Sequence, residues 1–262
     1  MEFFLIAIVA FGVATLTFFS GFGLGTILMP VFAVFFPVEI AIALTAMVHL
    51  ANNLFKLSLV WKAVSKKVFL LFALPAFIAA ILGAIVLNLI SREIILFSYT
   101  LAGKQYEVTL LRLVISVLLM VFALLELNPG PKRNSVMKNK HLSIGGALAG
   151  FFGGLSGHQG ALRSMFLLRA GLGKEGFVAT GIAASTLIDV SRLAVYGSSF
   201  LSEYLTVIDR SSLILLLTAI IAAFAGSLTG RMLLKKITMD LVRNIVGYMI
   251  LVLAILLGAG II

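Results

Sequence analysis

The sequence predicts an all-α integral membrane protein made of two inverted repeats. Each repeat is a glycine-broken re-entrant helix hairpin followed by three transmembrane helices. Three observations lead there. The first is apolarity: of 262 residues, 61% are hydrophobic and 11% charged, with a mean hydropathy of +1.18. Soluble domains carry about 25% charged residues, so this chain cannot hide its apolar surface in a water-soluble core. The second is a glycine break inside an apolar run, Ser20-Gly21-Phe22-Gly23-Leu24-Gly25, echoed at Ser156-Gly157-His158-Gln159-Gly160. The third is register. An offset of roughly 136 residues sets Met29 on Met165, Glu39 on Glu175, Ala43 on Ala179, Asn53 on Asp189 and Lys56 on Arg192, as a duplicated unit would.

The elements follow in order. Phe3–Phe19 is apolar up to the first break, and Phe22–Phe36 is apolar up to Pro37. Val38–Val60 reads as a long helix carrying His49, Asn52, Asn53 and Lys56, with a basic turn after it (Lys62, Lys66, Lys67). Val68–Ile90 is uncharged and long enough to span, since a bilayer takes about 20 helical residues. Ser91–Val108 is polar and mixed, and Thr109–Leu125 is another span. Residues 128–142 form a basic Pro/Gly linker between a first repeat (1–127) and a second (143–262). The second repeat runs Leu142–Leu155, the second break, Ala161–Leu168, Phe177–Val195, Ser211–Gly230 and Leu241–Ile262. Gly226 and Gly230 stand at small-xxx-small spacing, which suits close helix contact. None of these runs alternates as the strands of a porin would.

Charge assigns the sides. As one helix, the 34 residues Phe3–Phe36 would extend about 51 Å at 1.5 Å per residue, against a hydrocarbon core of about 30 Å. The run therefore crosses twice or turns back. With Lys56, Arg163 and Arg192 set aside as intrahelical, re-entrant hairpins put 13 Lys and Arg on one side and 4 on the other. Alternating spans would divide them almost evenly. By the positive-inside rule the expectation is a plasma-membrane protein with linker 128–142 cytoplasmic, both termini outside, and the halves inverted.

The net charge of +10 reads as topology signal plus attraction to anionic headgroups or an anionic substrate. It does not read as nucleic-acid binding, because no basic-aromatic face remains once the helices lie in lipid. There are no cysteines, which excludes disulfides and thiolate chemistry. Met1–Ser20 looks like a signal peptide but carries Glu2 in place of a basic start, and its echo at Ala147–Ser156 makes it a structural helix.

The Ser-Gly-x-Gly-x-Gly break after the first helix, Pro30 shortly after it, the two-fold repeat and the basic central linker together resemble the sulfite exporter TauE/SafE family over nearly the whole chain. The second copy departs from the pattern, with Gln159 for a glycine and Phe166 for the proline. The resemblance implies transport of small sulfur-containing anions such as sulfite or organosulfonates.

An anion inside a membrane needs donors and positive potential. Glycine breaks expose backbone N–H groups, and the helix that follows turns its positive end toward them. Ser20, Gly21, Gly23 and Gly25 fit that role, as do Ser156, Gly157, His158 and Gln159; the alternative is that the glycines only permit tight packing. Arg163, at membrane depth, either binds substrate with two donors or pairs with Asp189. His49, with Ser185 at its equivalent place, either holds an oxyanion, couples protons, or makes an interhelical tie. Asn52 and Asn53 continue its polar side. Lys56 and Arg192 read as helix ties or gates, and Asp189 and Arg192 at i, i+3 have the spacing to neutralise each other. Glu39 and Glu175 open helices, which suits the dipole.

No cofactor or metal is expected, and no hydrolase, metalloprotease or phosphate-loop motif is present. The expected partners are the bilayer, a small anionic substrate and protons as a coupling ion. The sequence thus reads as a secondary transporter, an exporter of sulfite or organosulfonates, working by alternating access at a midplane site. Two alternatives stay open: a transporter or channel for small carboxylates, and a membrane-embedded enzyme or assembly factor.

Overall fold

A computed structural model describes residues 2–18, 24–90, 94–101, 103–128, 139–199, 202, 210–233 and 239–262. The chain runs α1 (Glu2–Thr17), α2 (Leu24–Ala33), α3 (Val38–Val60), a 3-10 turn (Trp61–Ala63), α4 (Lys66–Ile90), strands β1 (Ile95–Leu101) and β2 (Lys104–Thr109), and α5 (Leu110–Leu127). It continues with α6 (Asn139–Ser156), α7 (Gly160–Leu167), α8 (Lys174–Gly197), α9 (Arg210–Leu233) and α10 (Met239–Gly258). Both apolar runs with a glycine break are interrupted there, α1 stopping before the first break and α6 at Ser156. At 1.5 Å per residue α2 extends about 15 Å and α7 about 12 Å, roughly half the hydrocarbon core or less.

Among the described residues, four helical stretches are long and apolar enough to cross a bilayer: 38–63, 66–90, 174–197 and 210–232. Their outward faces are apolar too. Leu70, Leu74, Ile78, Leu82 and Leu89 stand exposed along α4, and Leu217, Ile221 and Leu228 along α9. Such stripes suit lipid and are unfavourable in water. The chain is a multi-pass membrane protein.

The packing exchanges partners between the halves. α4 lies on α6 and α1 on α9, while α3 meets α8 and α5 meets α10. In the offset register α6 corresponds to α1 and α9 to α4. The first two contacts are therefore one contact with the halves swapped, and in the last two, equivalent helices meet each other. Small residues bring the backbones together, as in membrane bundles generally. A Cβ at Gly226 would overlap the Phe11 carbonyl oxygen, and one at Gly230 would stand 2.5 Å from that of Thr15. A second ladder, not foreseen, does the same on α6: Gly146, Gly150 and Gly154 lie against the carbonyl oxygens of Phe72, Ala76 and Ala80.

Residues 91–108, expected only to be polar and mixed, contain a β-hairpin with Tyr99 opposite Tyr106 and their rings stacked at 5.5 Å. The Tyr99 hydroxyl donates to the Ala259 carbonyl at 2.6 Å, tying the hairpin to the end of α10. The Thr109 side chain caps α5 by accepting from the Arg112 N–H at 3.2 Å. α6 begins at Asn139, so the last four residues of the expected linker are helical; 129–138 lie outside the described residues.

The helix ends gather in groups. Phe3, the 34–36 turn and the start of α9 line one surface pocket. At the far end of α3, the Ser65 N–H donates to Thr180 Oγ1 at 3.0 Å, and Ala63 lies beside Gly176.

Candidate functional site

The two interrupted helices meet. A Cβ on Gly25, in the first turn of α2, would stand 3.6 Å from the Gly157 carbonyl oxygen and 3.7 Å from the His49 ring. Gly157 has φ of +82°, in the left-handed region that suits glycine. A Cβ there would also meet Arg192 Nη1 at 2.7 Å. His158 lies beside the Thr26 backbone and stacks on Phe122 with centroids 6.0 Å apart. Ser20, Gly21 and Gly23 lie outside the described residues.

Beside this junction is Asp189, fully buried on α8. Its carboxylate is saturated with donors. Oδ2 accepts from His49 Nδ1 at 2.6 Å and from Asn53 Nδ2 at 3.1 Å. Oδ1 accepts from Arg192 Nε at 3.1 Å and Nη2 at 2.8 Å, with Gln159 Nε2 at 3.5 Å. A buried carboxylate is tolerable only when paired and hydrogen-bonded in this way. Asn53 and Asp189 are each other's equivalents in the repeat, and their bond joins α3 to α8.

Next to the carboxylate is a small cavity lined by Thr17, Leu24, His49, Asn53, Lys56, Arg163, Ile182 and Ser185. It has room for about one water. Thr17 ends α1, Leu24 starts α2 and Arg163 sits in the first turn of α7, so both breaks border it. His49 lies about 16 Å along α3, near that helix's middle.

The lining is cationic and carries spare donors. Arg163 makes no ion pair among the described residues, and its Nη1 and the Ser185 hydroxyl are buried without hydrogen-bond partners. Lys56 also lacks a carboxylate among the described residues. Its ammonium sits 5.3 Å from the Phe18 ring centroid, within cation–π range. The Asn52 amide is assigned with its oxygen accepting from Lys56 Nζ at 3.2 Å and its nitrogen donating to Ser227 Oγ at 2.7 Å. The opposite assignment, with Ser227 donating to Asn52 Oδ1, sets that oxygen against the Ala223 carbonyl and the amide nitrogen against the Lys56 ammonium. Among the described residues, three buried cations (Lys56, Arg163, Arg192) thus face one carboxylate.

The structure brings together Gly25, His49, Asn53, Lys56, Gly157, Gln159, Arg163, Ser185, Asp189 and Arg192 of the predicted residues. Asn52 stands behind Lys56 and not on the cavity. Ser156 turns its hydroxyl back to the Phe152 carbonyl at 3.0 Å. The Arg163–Asp189 pair, one of the two readings for Arg163, does not form, because His49 and Arg192 hold the carboxylate. Sequence reasoning missed Tyr196, whose buried hydroxyl donates to the Gly154 carbonyl and ties α8 to the end of α6. Its place one turn after Arg192 was the available signal. Among the described residues no group of three or more His, Asp or Glu is placed to ligate a metal.

No curated protein and no solved structure matches the chain. A family model does, the sulfite exporter TauE/SafE model, over residues 6–257 of 262. With a match of that extent and a cationic cavity between two interrupted helices, the chain belongs to the sulfite exporter TauE/SafE family.

Proposed function

We propose that this chain is a secondary transporter, an exporter of sulfite and related sulfonates, whose halves rock about the cavity between the two glycine breaks. The family is one of membrane transporters of sulfite and related anions; the mechanism and the site are our reading. The observation that carries it is the imbalance of charge. Arg163 and Lys56 line a buried cavity with no carboxylate of their own among the described residues, and Asp189 has no acceptor capacity left for them. Burying unpaired charge is expensive, and a small oxyanion would supply the missing negative charge. Arg163 and Ser185 offer it free donors, and the starts of α2 and α7 offer positive dipole ends.

With room for about one water, this is a closed conformation, and binding requires the lining to part. The exchanged packing of the halves supports an inverted pair of repeats, 1–127 and 143–262, joined by 128–142. The grouping of helix ends supports the sidedness read from charge, with Lys62–Lys67 and Lys174 on the cytoplasmic side and the β-hairpin and both termini outside.

The test is counterflow in proteoliposomes with labelled sulfite, sulfonates and carboxylates, comparing wild type with Arg163→Ala and His49→Ala. Uptake of sulfur oxyanions that both substitutions abolish is expected. Uptake unchanged by either would remove the site, and a preference for carboxylates would change the substrate class.

A further inference from the structure

We propose that each anion crosses together with one proton, held between His49 Nε2 and an oxygen of the anion. This rests on the anion reading above and deepens it by naming the coupling ion.

Asp189 fixes where the neighbouring hydrogens lie. Its carboxylate receives Arg192 through two N–H groups, so it is ionised and accepts only. His49 Nδ1, 2.6 Å away, must therefore carry a hydrogen and donate it. That fixes the tautomer, as a carboxylate behind a histidine does elsewhere. The other ring nitrogen, Nε2, then carries a lone pair whenever His49 is neutral. It has no hydrogen-bond partner among the described residues, and the ring lines the cavity. A bare anion oxygen placed there would face a lone pair. One proton relieves the clash, whether it arrives on Nε2 or on the anion.

The surroundings make this proton the mobile one. The charged groups facing His49 are Asp189 and Arg192 from α8, Arg163 from α7 and Lys56 from its own helix; α1 and α2 present only Thr17, Leu24 and Gly25. Arg163 and Arg192 oppose a charge on His49, and burial disfavours it, while the Asp189 carboxylate 2.6 Å away favours it. A bound anion adds a second negative neighbour and tips that balance toward the protonated ring. In the cycle, Nε2 takes a proton from water on the side where the anion enters, and returns it to water where the anion leaves. The step moves no net charge, so export runs only while the anion's outward gradient exceeds the opposing proton gradient. The Nδ1–H bond to Asp189 stays intact throughout, so His49 ends as it began.

The experiment uses the full chain in proteoliposomes with a trapped pH dye. The probe is methanesulfonate, which holds no proton near neutrality, so any proton moved is carried by the protein. Wild type is expected to move one proton per methanesulfonate, and a one-unit pH step at zero voltage should support about tenfold accumulation. His49→Gln keeps a side-chain amide of similar reach without a titrating group. Whatever its rate, its uptake should carry no proton and show no accumulation under the pH step. Methanesulfonate uptake by wild type without proton movement, or a His49→Gln variant still moving one proton per anion, overturns the coupling and leaves the anion reading standing. Failure of wild type to exchange any sulfur oxyanion overturns both.

Discussion

Replacing Arg163 by Met should make the protein more stable and less able to bind. Arg163 is 2% exposed and has no ion pair among the described residues. Its Nη1 lacks any hydrogen-bond partner. Removing a buried charge that has no direct ion pair relieves its desolvation cost, and replacing buried ionic groups with apolar ones of similar size commonly stabilises by about 1–4 kcal/mol. The same change deletes two donors from a bound oxyanion. Charge-assisted hydrogen bonds contribute about 1.5–3 kcal/mol each, so affinity should fall at least about a hundredfold. Arg192 is the control. It is equally buried but bonded to Asp189 through two nitrogens, and Arg192→Met should cost about 3–5 kcal/mol. Thermal unfolding in detergent reads both effects, with added sulfonate reporting binding through the shift in midpoint. If Arg163→Met destabilised the protein as much as Arg192→Met, or kept its sulfonate-dependent shift, the case for Arg163 as a substrate ligand would fail.

Two further outcomes test the architecture. Gly150→Leu would drive a side chain into the Ala76 carbonyl and should cost at least about 1–3 kcal/mol through overpacking between α4 and α6; an unchanged unfolding midpoint would contradict the packing described. Because the chain lacks cysteine, single cysteines report sidedness: one at Asn134 in the linker should be shielded from an impermeant thiol reagent in intact cells while one at Gln105 in the β-hairpin is labelled, and the reverse pattern would invert the topology.

Much of the fold was legible because lipid imposes a simple demand on sequence. Val38–Val60 was read with both ends right, since Pro37 opens it and a basic turn follows it. The glycine breaks and the offset register pointed to the paired interrupted helices before any contact was known. The β-hairpin was not legible in that frame. Its run Ile95–Leu101 is rich in β-branched and aromatic residues, but flanking charges made it look like an ordinary loop. The Gly146, Gly150 and Gly154 ladder carries the same small-residue spacing as Gly226 and Gly230, but it runs straight into the second glycine break, so its packing glycines do not stand apart from those of the break.

At the site, the residue types and their depth were visible, and the partnerships were not. Asp189 sits three residues from Arg192 and at similar depth to Arg163 and His49. Which of the three it would hold depends on how α3, α7 and α8 cross, and no single-helix spacing encodes that. Because Asp189 is taken by His49 and Arg192, Arg163 is left without an ion pair among the described residues.

The most direct test places one cysteine in the cavity. Ser185→Cys, in this otherwise cysteine-free chain, should react faster with a small anionic sulfonate thiol reagent than with a cationic one of equal size, and methanesulfonate should protect it. Labelling that ignores reagent charge and is not slowed by methanesulfonate would contradict an anion site between the two broken helices.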